Sequence, residues 1–166
     1  TTDDDTAGFA LSTTTASVTE GGSTATFTVV LDSQPTSDVV LTVVSADADE
    51  ATVSPTPLTF TNGDWDTPQT VTVTGVDDSV DDGNQDTTVT IAVDDDNSDN
   101  AFDGIAHQTV TATTTDDDTA AFTLSTTTAS VTEAGSTATF TVVLDTQPLS
   151  DVVVAVSSAD TSEATV

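Results

Sequence analysis

From Thr1 the chain reads TTDDDTAGFALSTTTASVTEGGSTATFTVVLDSQP, and from Thr114 it reads TTDDDTAAFTLSTTTASVTEAGSTATFTVVLDTQP. The offset of 113 residues holds without a gap to Val166, which matches Val53, and 43 of the 53 aligned positions are identical. A period of this length is too long for a solenoid turn and fits one sandwich domain of about 100 residues. The sequence is therefore read as a window on a longer array. Residues 1–5 end a preceding repeat or linker, 6–118 form a complete β-sandwich repeat, and 119–166 are the first half of the next, without its later strands.

Within the repeat, apolar residues alternate with Thr, Ser and other polar residues, the pattern of half-buried strands. Strand A is expected over Phe9 to Val18, with Phe9, Leu11 and Val18 inward. Strand B follows over Thr24 to Leu31, and strand C carries Val39, Leu41 and Val43. Strand D holds Leu58 and Phe60, ended by the turn Asn62-Gly63. Strands E, F and G carry Val71 and Val73, then Val89, Ile91 and Val93, then Val110 and Ala112. Thr and Val dominate, and both are β-branched and favour strands. The fold class predicted is all-β, a seven-stranded immunoglobulin-like antiparallel sandwich repeated in tandem.

Charge sets the next constraint. There are 29 acidic residues and no Lys or Arg, a formal charge of −29. Such a charge opposes compaction by self-repulsion, so folding needs cations from outside, either bound metal or screening salt. Nothing in the chain can neutralise phosphate, which excludes nucleic acid and anionic membrane surfaces as partners. Direct membrane insertion is also excluded, because no apolar run approaches the roughly 18 residues of a span. Cysteine is absent, so neither disulfides nor a thiol nucleophile enter.

Successive sandwich strands reverse direction, so loops alternate between two ends. The A–B loop (Glu20), the C–D loop (Asp47, Asp49, Glu50), the E–F loop (Asp77, Asp78, Asp81, Asp82, Asp86) and the exit of strand G (Asp116, Asp117, Asp118) should converge on one end. The other end should hold Asp3, Asp4 and Asp5 with Asp94, Asp95, Asp96, Asp99 and Asp103. Clustered carboxylates raise one another's pKa unless a cation intervenes. Ca2+ is the cofactor expected, since it is hard, takes six to eight oxygens and tolerates irregular geometry. Asp outnumbers Glu by 25 to 4, and the Glu residues fall at matched positions, Glu20 with Glu133 and Glu50 with Glu163. A solvated acidic surface would use both acids more freely. Zinc or copper would call for His or Cys, and only His107 is present.

The segments SVTEGGSTATFTVVL (17–31), PLTFTNGDWDTPQTVTVTGVDD (57–78) and TVTATTTDDDTAAF (109–122) resemble the Calx-beta family, the calcium-binding sandwich of sodium–calcium exchangers that is also found in bacterial surface proteins. The resemblance covers the whole repeat and extends to bacterial immunoglobulin-like adhesin repeats. It implies calcium ligands at Glu20, at Asp77 and Asp78, at Asp82, and at Asp116, Asp117 and Asp118, with Asp47 or Asp49 from the C–D loop. Asp3, Asp4 and Asp5 would be the same closing triplet of the preceding module. The stretch SVDDGNQD stands where the family is often Glu-rich, and the C–D loop is shorter than usual.

Catalytic chemistry is not expected. Cys, Lys, Arg and Tyr are missing, and His107 reads as an exposed strand histidine rather than a triad member. The carboxylates sit in like-charged clusters, and Trp65 is the one indole available to a sugar. The function expected is a bacterial or archaeal extracellular stalk or filament, stiffened by calcium and serving surface adhesion or matrix. Its partners would be neighbouring copies of the same repeat or chain. Any surface receptor or glycan would be met by regions outside this sequence. Alternatives from other classes are a halophilic surface-layer protein screened by monovalent salt and a non-catalytic accessory module of a secreted hydrolase.

Overall fold

A computed structural model describes residues 5–166. The expectations on Asp3 and Asp4 lie outside the described residues. The chain divides into two compact units, one of residues 5–78 with Asp82–Asp117 and one of Ser79–Asp81 with Asp118–Val166.

The first unit is a two-sheet β-sandwich. Its strands are β1 (Phe9–Leu11), β2 (Thr15–Thr19), β3 (Thr24–Leu31), β4 (Val39–Ser45), β5 (Ala51–Ser54), β6 (Leu58–Phe60), β7 (Gln69–Gly75), β8 (Gln85–Val93) and β9 (Gln108–Thr115). One sheet has the order β1-β3-β7-β5 and the other β2-β9-β8-β4-β6. Neighbours are antiparallel except β2 and β9, which run parallel from Thr15↔Thr111 to Thr19↔Thr115. The inward residues are those the alternation picked out. Phe27, Val29, Leu31, Val39, Leu41 and Val43 are buried, as are Leu58, Phe60, Val71, Val73, Val89, Ile91, Val110 and Ala112.

Nine strands replace the seven expected, for two reasons. Strand A is broken into β1 and β2, which lie in different sheets. The break falls at Ser12, whose N–H donates to Thr28 O and whose Oγ accepts from Thr28 N–H. Before the break odd residues face inward (Phe9), and after it even ones do (Ala16, Val18). The segment read as the C–D loop contains a further strand, β5, which pairs with β7 from Ala51↔Gly75 to Ser54↔Thr72. The expected strand D, β6, instead pairs with β4 in the opposite sheet. A three-residue apolar signal does not say which sheet will accept it.

The core also contains Phe102, which no alternating run announced. It lies in a short 3-10 turn, Asn100–Phe102, whose preceding residue Asp99 accepts the Ala101 N–H.

In the second unit β10 (Phe122–Leu124) and β11 (Val142–Leu144) pair antiparallel with Phe122 opposite Leu144. This is the register of Phe9 with Leu31 in the first copy. The rest of the expected half-repeat carries no described strand, and Phe122 and Val152 are each 53% exposed. In the first copy β3 is held by β7, and β4 by β6 and β8. The sequence 114–166 holds no counterparts of β6, β7 or β8.

Candidate metal centre

The strand registers bring four segments of the first unit to one end of the sandwich. Thr24 lies opposite Thr74, Ala51 opposite Gly75, Gln85 opposite Thr114 and Thr19 opposite Thr115. The loop after β2, the turn between β4 and β5, the loop after β7 and the exit of β9 therefore share that end. It is the end at which alternating strand direction placed Glu20, Asp47, Asp49, Asp77, Asp78, Asp82, Asp116 and Asp117.

Glu20 is the centre of this group. It follows β2 directly, and its N–H extends the parallel ladder by donating to Thr115 O (3.1 Å). The chain then turns sharply at Gly22, whose φ of 81° lies in the left-handed region that glycine tolerates. Ser23 closes the turn, its Oγ accepting the Thr19 N–H at 2.7 Å. The Glu20 side chain is thereby drawn inward and is only 2% exposed. Its Oε2 is buried and has no hydrogen-bond partner among the described residues. A buried carboxylate oxygen without a donor is costly, and a bound cation or a proton relieves it.

The surroundings make the same demand. Burial raises the Glu20 carboxyl to a pKa of about 7, and the charges of Asp116, Asp78, Asp82 and Glu50 push in the same direction. One carboxylate oxygen of Glu20 lies within 4.8 Å of one of Asp116. Asp116 is held in place from the loop after β7. Its Oδ2 accepts the Gly83 N–H at 2.6 Å, and its own N–H donates to Asn84 Oδ1 at 3.3 Å. Asp117 reaches over the β2–β3 turn, where its Oδ2 lies 3.3 Å from where a Cβ on Gly21 would stand.

Glu50 forms the second pole. Its carbonyl accepts the Val76 N–H (3.0 Å) and the Thr114 hydroxyl (3.2 Å), fixing it between β7 and β9. Its carboxyl is raised first by burial, then by Asp82, Asp47, Asp78 and Asp49. Asp47 and Asp49 are exposed on the turn before β5, the Asp49 N–H donating to Asp47 Oδ1 at 3.1 Å. Gly75 is required where β7 meets the end of β2, because a Cβ there would fall 2.1 Å from Thr19 O.

The sequence-derived set and the assembled group differ at the margins. Glu50 had been placed at this end but not among the ligands, and its position between two strands makes it part of the group. Asp77 is exposed, and it is absent from the acids that act on either glutamate. Asp118 is the half-buried residue that opens the second unit's main segment, and Asp5 is exposed. At the opposite end of the first unit Asp99 is buried, 6% exposed, and has a different task. It accepts from Thr36 N–H, Thr36 Oγ1, Ser37 N–H and Ala101 N–H at 2.6–3.0 Å. These bonds, the Ala101 N–H first, hold its pKa down at about 2. The sequence grouped Asp99 with cation-binding candidates; it is a staple between the β3–β4 turn and the β8–β9 loop.

The donor set is entirely carboxylate oxygen, gathered about Glu20, whose Oε2 is buried and unpartnered among the described residues. Hard divalent cations take such a set, and zinc or copper would not.

By sequence the chain matches no family model and no curated protein. Among solved structures it is similar to domains 4 and 5 of the S-layer protein SbsC, at 26% identity and a TM-score of 0.45, covering 68% of this chain and 54% of that one. It is similar to the apo form of the Calx CBD1 domain at 15% identity and a TM-score of 0.48, covering 66% and 96%. It is also similar to SSP-19 of Caenorhabditis elegans, an MSP-domain protein, at 14% identity and a TM-score of 0.45, covering 63% and 97%. The chain thus spans about half of the SbsC fragment.

Proposed function

We propose that this chain is a non-catalytic structural module of an extracellular surface protein, and that its sandwich end binds calcium through Glu20, Glu50, Asp78, Asp82 and Asp116. The observation that carries the reading is Glu20 Oε2, buried without a donor among like-charged groups. Asp47, Asp49 and Asp117 lie at the rim of the same end and would complete an oxygen shell. Calcium is preferred over magnesium because the ligands are many, irregular and supplied by the protein, whereas magnesium keeps its waters and demands an octahedron.

The role proposed is mechanical. β9 leaves the sandwich through Asp116 and Asp117 and leads in sequence into the next copy. A cation gripping those residues together with the β2–β3 and β4–β5 turns would fix the last segment of one module. Repeated along an array, this stiffens a stalk or filament in calcium-rich surroundings and lets it slacken when calcium is withdrawn. Neighbouring copies are the proposed partners, and the cell surface is the proposed location.

Calorimetric titration of the chain with calcium, and of Glu20→Gln beside it, tests the site. Binding by the wild type that is lost in the variant is expected; absence of binding by the wild type overturns the reading. Solution scattering of a chain of several repeats, with calcium and then with chelator, tests the mechanical part, and an unchanged maximum dimension sinks it. Folding in molar sodium or potassium chloride to the same stability as in millimolar calcium would favour a surface-layer protein screened by salt.

A further inference from the structure

The two copies can be compared at the corner where their first strand meets the end of β3 or β11. In the first, the Asp32 N–H donates to Gly8 O at 2.9 Å, and in the second the Asp145 N–H donates to Ala121 O at 2.9 Å. Phe9 stands opposite Leu31 as Phe122 stands opposite Leu144. The corner is thus built alike in both. Ala7 and Gln34 flank it in the first copy, and Ala120 and Gln147 flank it in the second.

The backbone N–H groups of these two pairs meet different fates. In the second unit the Gln147 N–H donates to Ser79 O at 2.7 Å and the Ala120 N–H donates to Asp81 Oδ2 at 2.7 Å. Both acceptors come from the tip of the loop between β7 and β8, and Ser79–Asp81 belongs to the second unit. Val80 is half-buried there, and Asp81 lines one cavity with Phe122, Leu144, Pro148 and Leu149. In the first unit the Ala7 and Gln34 N–H groups have no acceptor among the described residues. The same two donors are therefore paired where the loop tip of an earlier repeat reaches them and open where none does. A carboxylate is the stronger of the two acceptors, because its bond to an N–H is charge-assisted.

We propose that Ser79–Asp81 is a clasp: the tip of each β7–β8 loop completes the repeat that follows it, supplying one carbonyl and one carboxylate to two N–H groups which that repeat leaves open. Ala7 and Gln34 are then the docking point on the first repeat for the same loop of another repeat. Neither Ser79 nor Asp81 is among the calcium ligands proposed above, and neither bond uses a cation. An array of these repeats keeps this tie when calcium is withdrawn.

Amide hydrogen exchange in the full chain, read residue by residue by NMR, tests the clasp. The copies supply their own control, because Ala7 and Ala120 both close the sequence TTDDDTA and Gln34 and Gln147 both precede proline. Ala120 and Gln147 should exchange roughly tenfold or more slowly than Ala7 and Gln34. Asp81→Ala should abolish the difference at Ala120 and reduce it at Gln147, while Asp81→Asn, which keeps an acceptor oxygen, should retain part of it. Asp81 is exposed, so neither substitution touches the core. Equal rates in the two copies of the wild type overturn the proposal. Slow exchange at Ala120 that survives Asp81→Ala also overturns it, since the protection then has another source. The measurement is made in sodium chloride without calcium, so its result stands apart from the calcium reading.

Discussion

At Glu20 the main chain completes a strand ladder while the side chain is buried among other acids. Its native pKa, about 7 against an ordinary 4.5, means that the folded chain holds a proton which the unfolded chain releases between those values. The cation-free fold therefore loses stability as pH rises through that window. In chelator, Glu20→Gln should melt several degrees above the wild type at pH 8, and the gap should close by pH 5. Thermal melts at the two pH values check this, and a gap independent of pH would refute the burial argument. Asp99 has the opposite sign. Its depressed pKa is a stabilising contribution present above an ordinary 3.8 and lost as pH falls through about 2. Replacing it by Ala abandons four donors, two of them backbone N–H groups of the β3–β4 turn, and should cost about 2 kcal/mol or more in urea denaturation at neutral pH. Charge and residue type alone could not separate these two acids. Among the described residues one lacks a donor and the other has four, and both facts depend on what is folded against them.

At the level of elements, the apolar alternation specified the inward face of every long strand, because the side-chain period of a strand is two. It also held the trace of the sheet switch in strand A, where inward parity passes from odd at Phe9 to even at Val18. What alternation cannot convey is partner choice. Ala51–Ser54 and Leu58–Phe60 are short, and their sheets were settled by which neighbour, β7 or β4, offered an open edge. Gly75 shows how tightly β7 and β2 meet beside the acidic end. Gly75→Ala should destabilise the fold by about 1–3 kcal/mol in urea denaturation, since the opposing atom is a backbone oxygen that cannot swing away. The same substitution should weaken calcium binding by displacing the end of β2. Phe102 enters the core from a loop of polar residues, and its truncation to Ala should cost about 3–5 kcal/mol by the same measurement. A stability loss below 1 kcal/mol would mean that the β8–β9 loop is not part of the core.

For the whole molecule, a charge of −29 with no Lys or Arg makes stability a function of the ionic medium. Millimolar calcium should raise the melting temperature beyond what sodium chloride of equal ionic strength achieves, and chelator should reverse it. Equal effects of the two salts would leave only general screening. The repeat and the strand periodicity were both present in the sequence, because spacing and period are properties of the chain itself. So was the convergence of the acids on one end, which follows from the reversal of strand direction. The tertiary structure alone decided that Glu20 would be buried without a donor, that Glu50 would lie between β7 and β9, and that Asp99 would be a staple. Burial and hydrogen-bond partnership are settled by residues far apart in sequence, Glu20 against Thr115 and Asp99 against Thr36, and only packing brings those together.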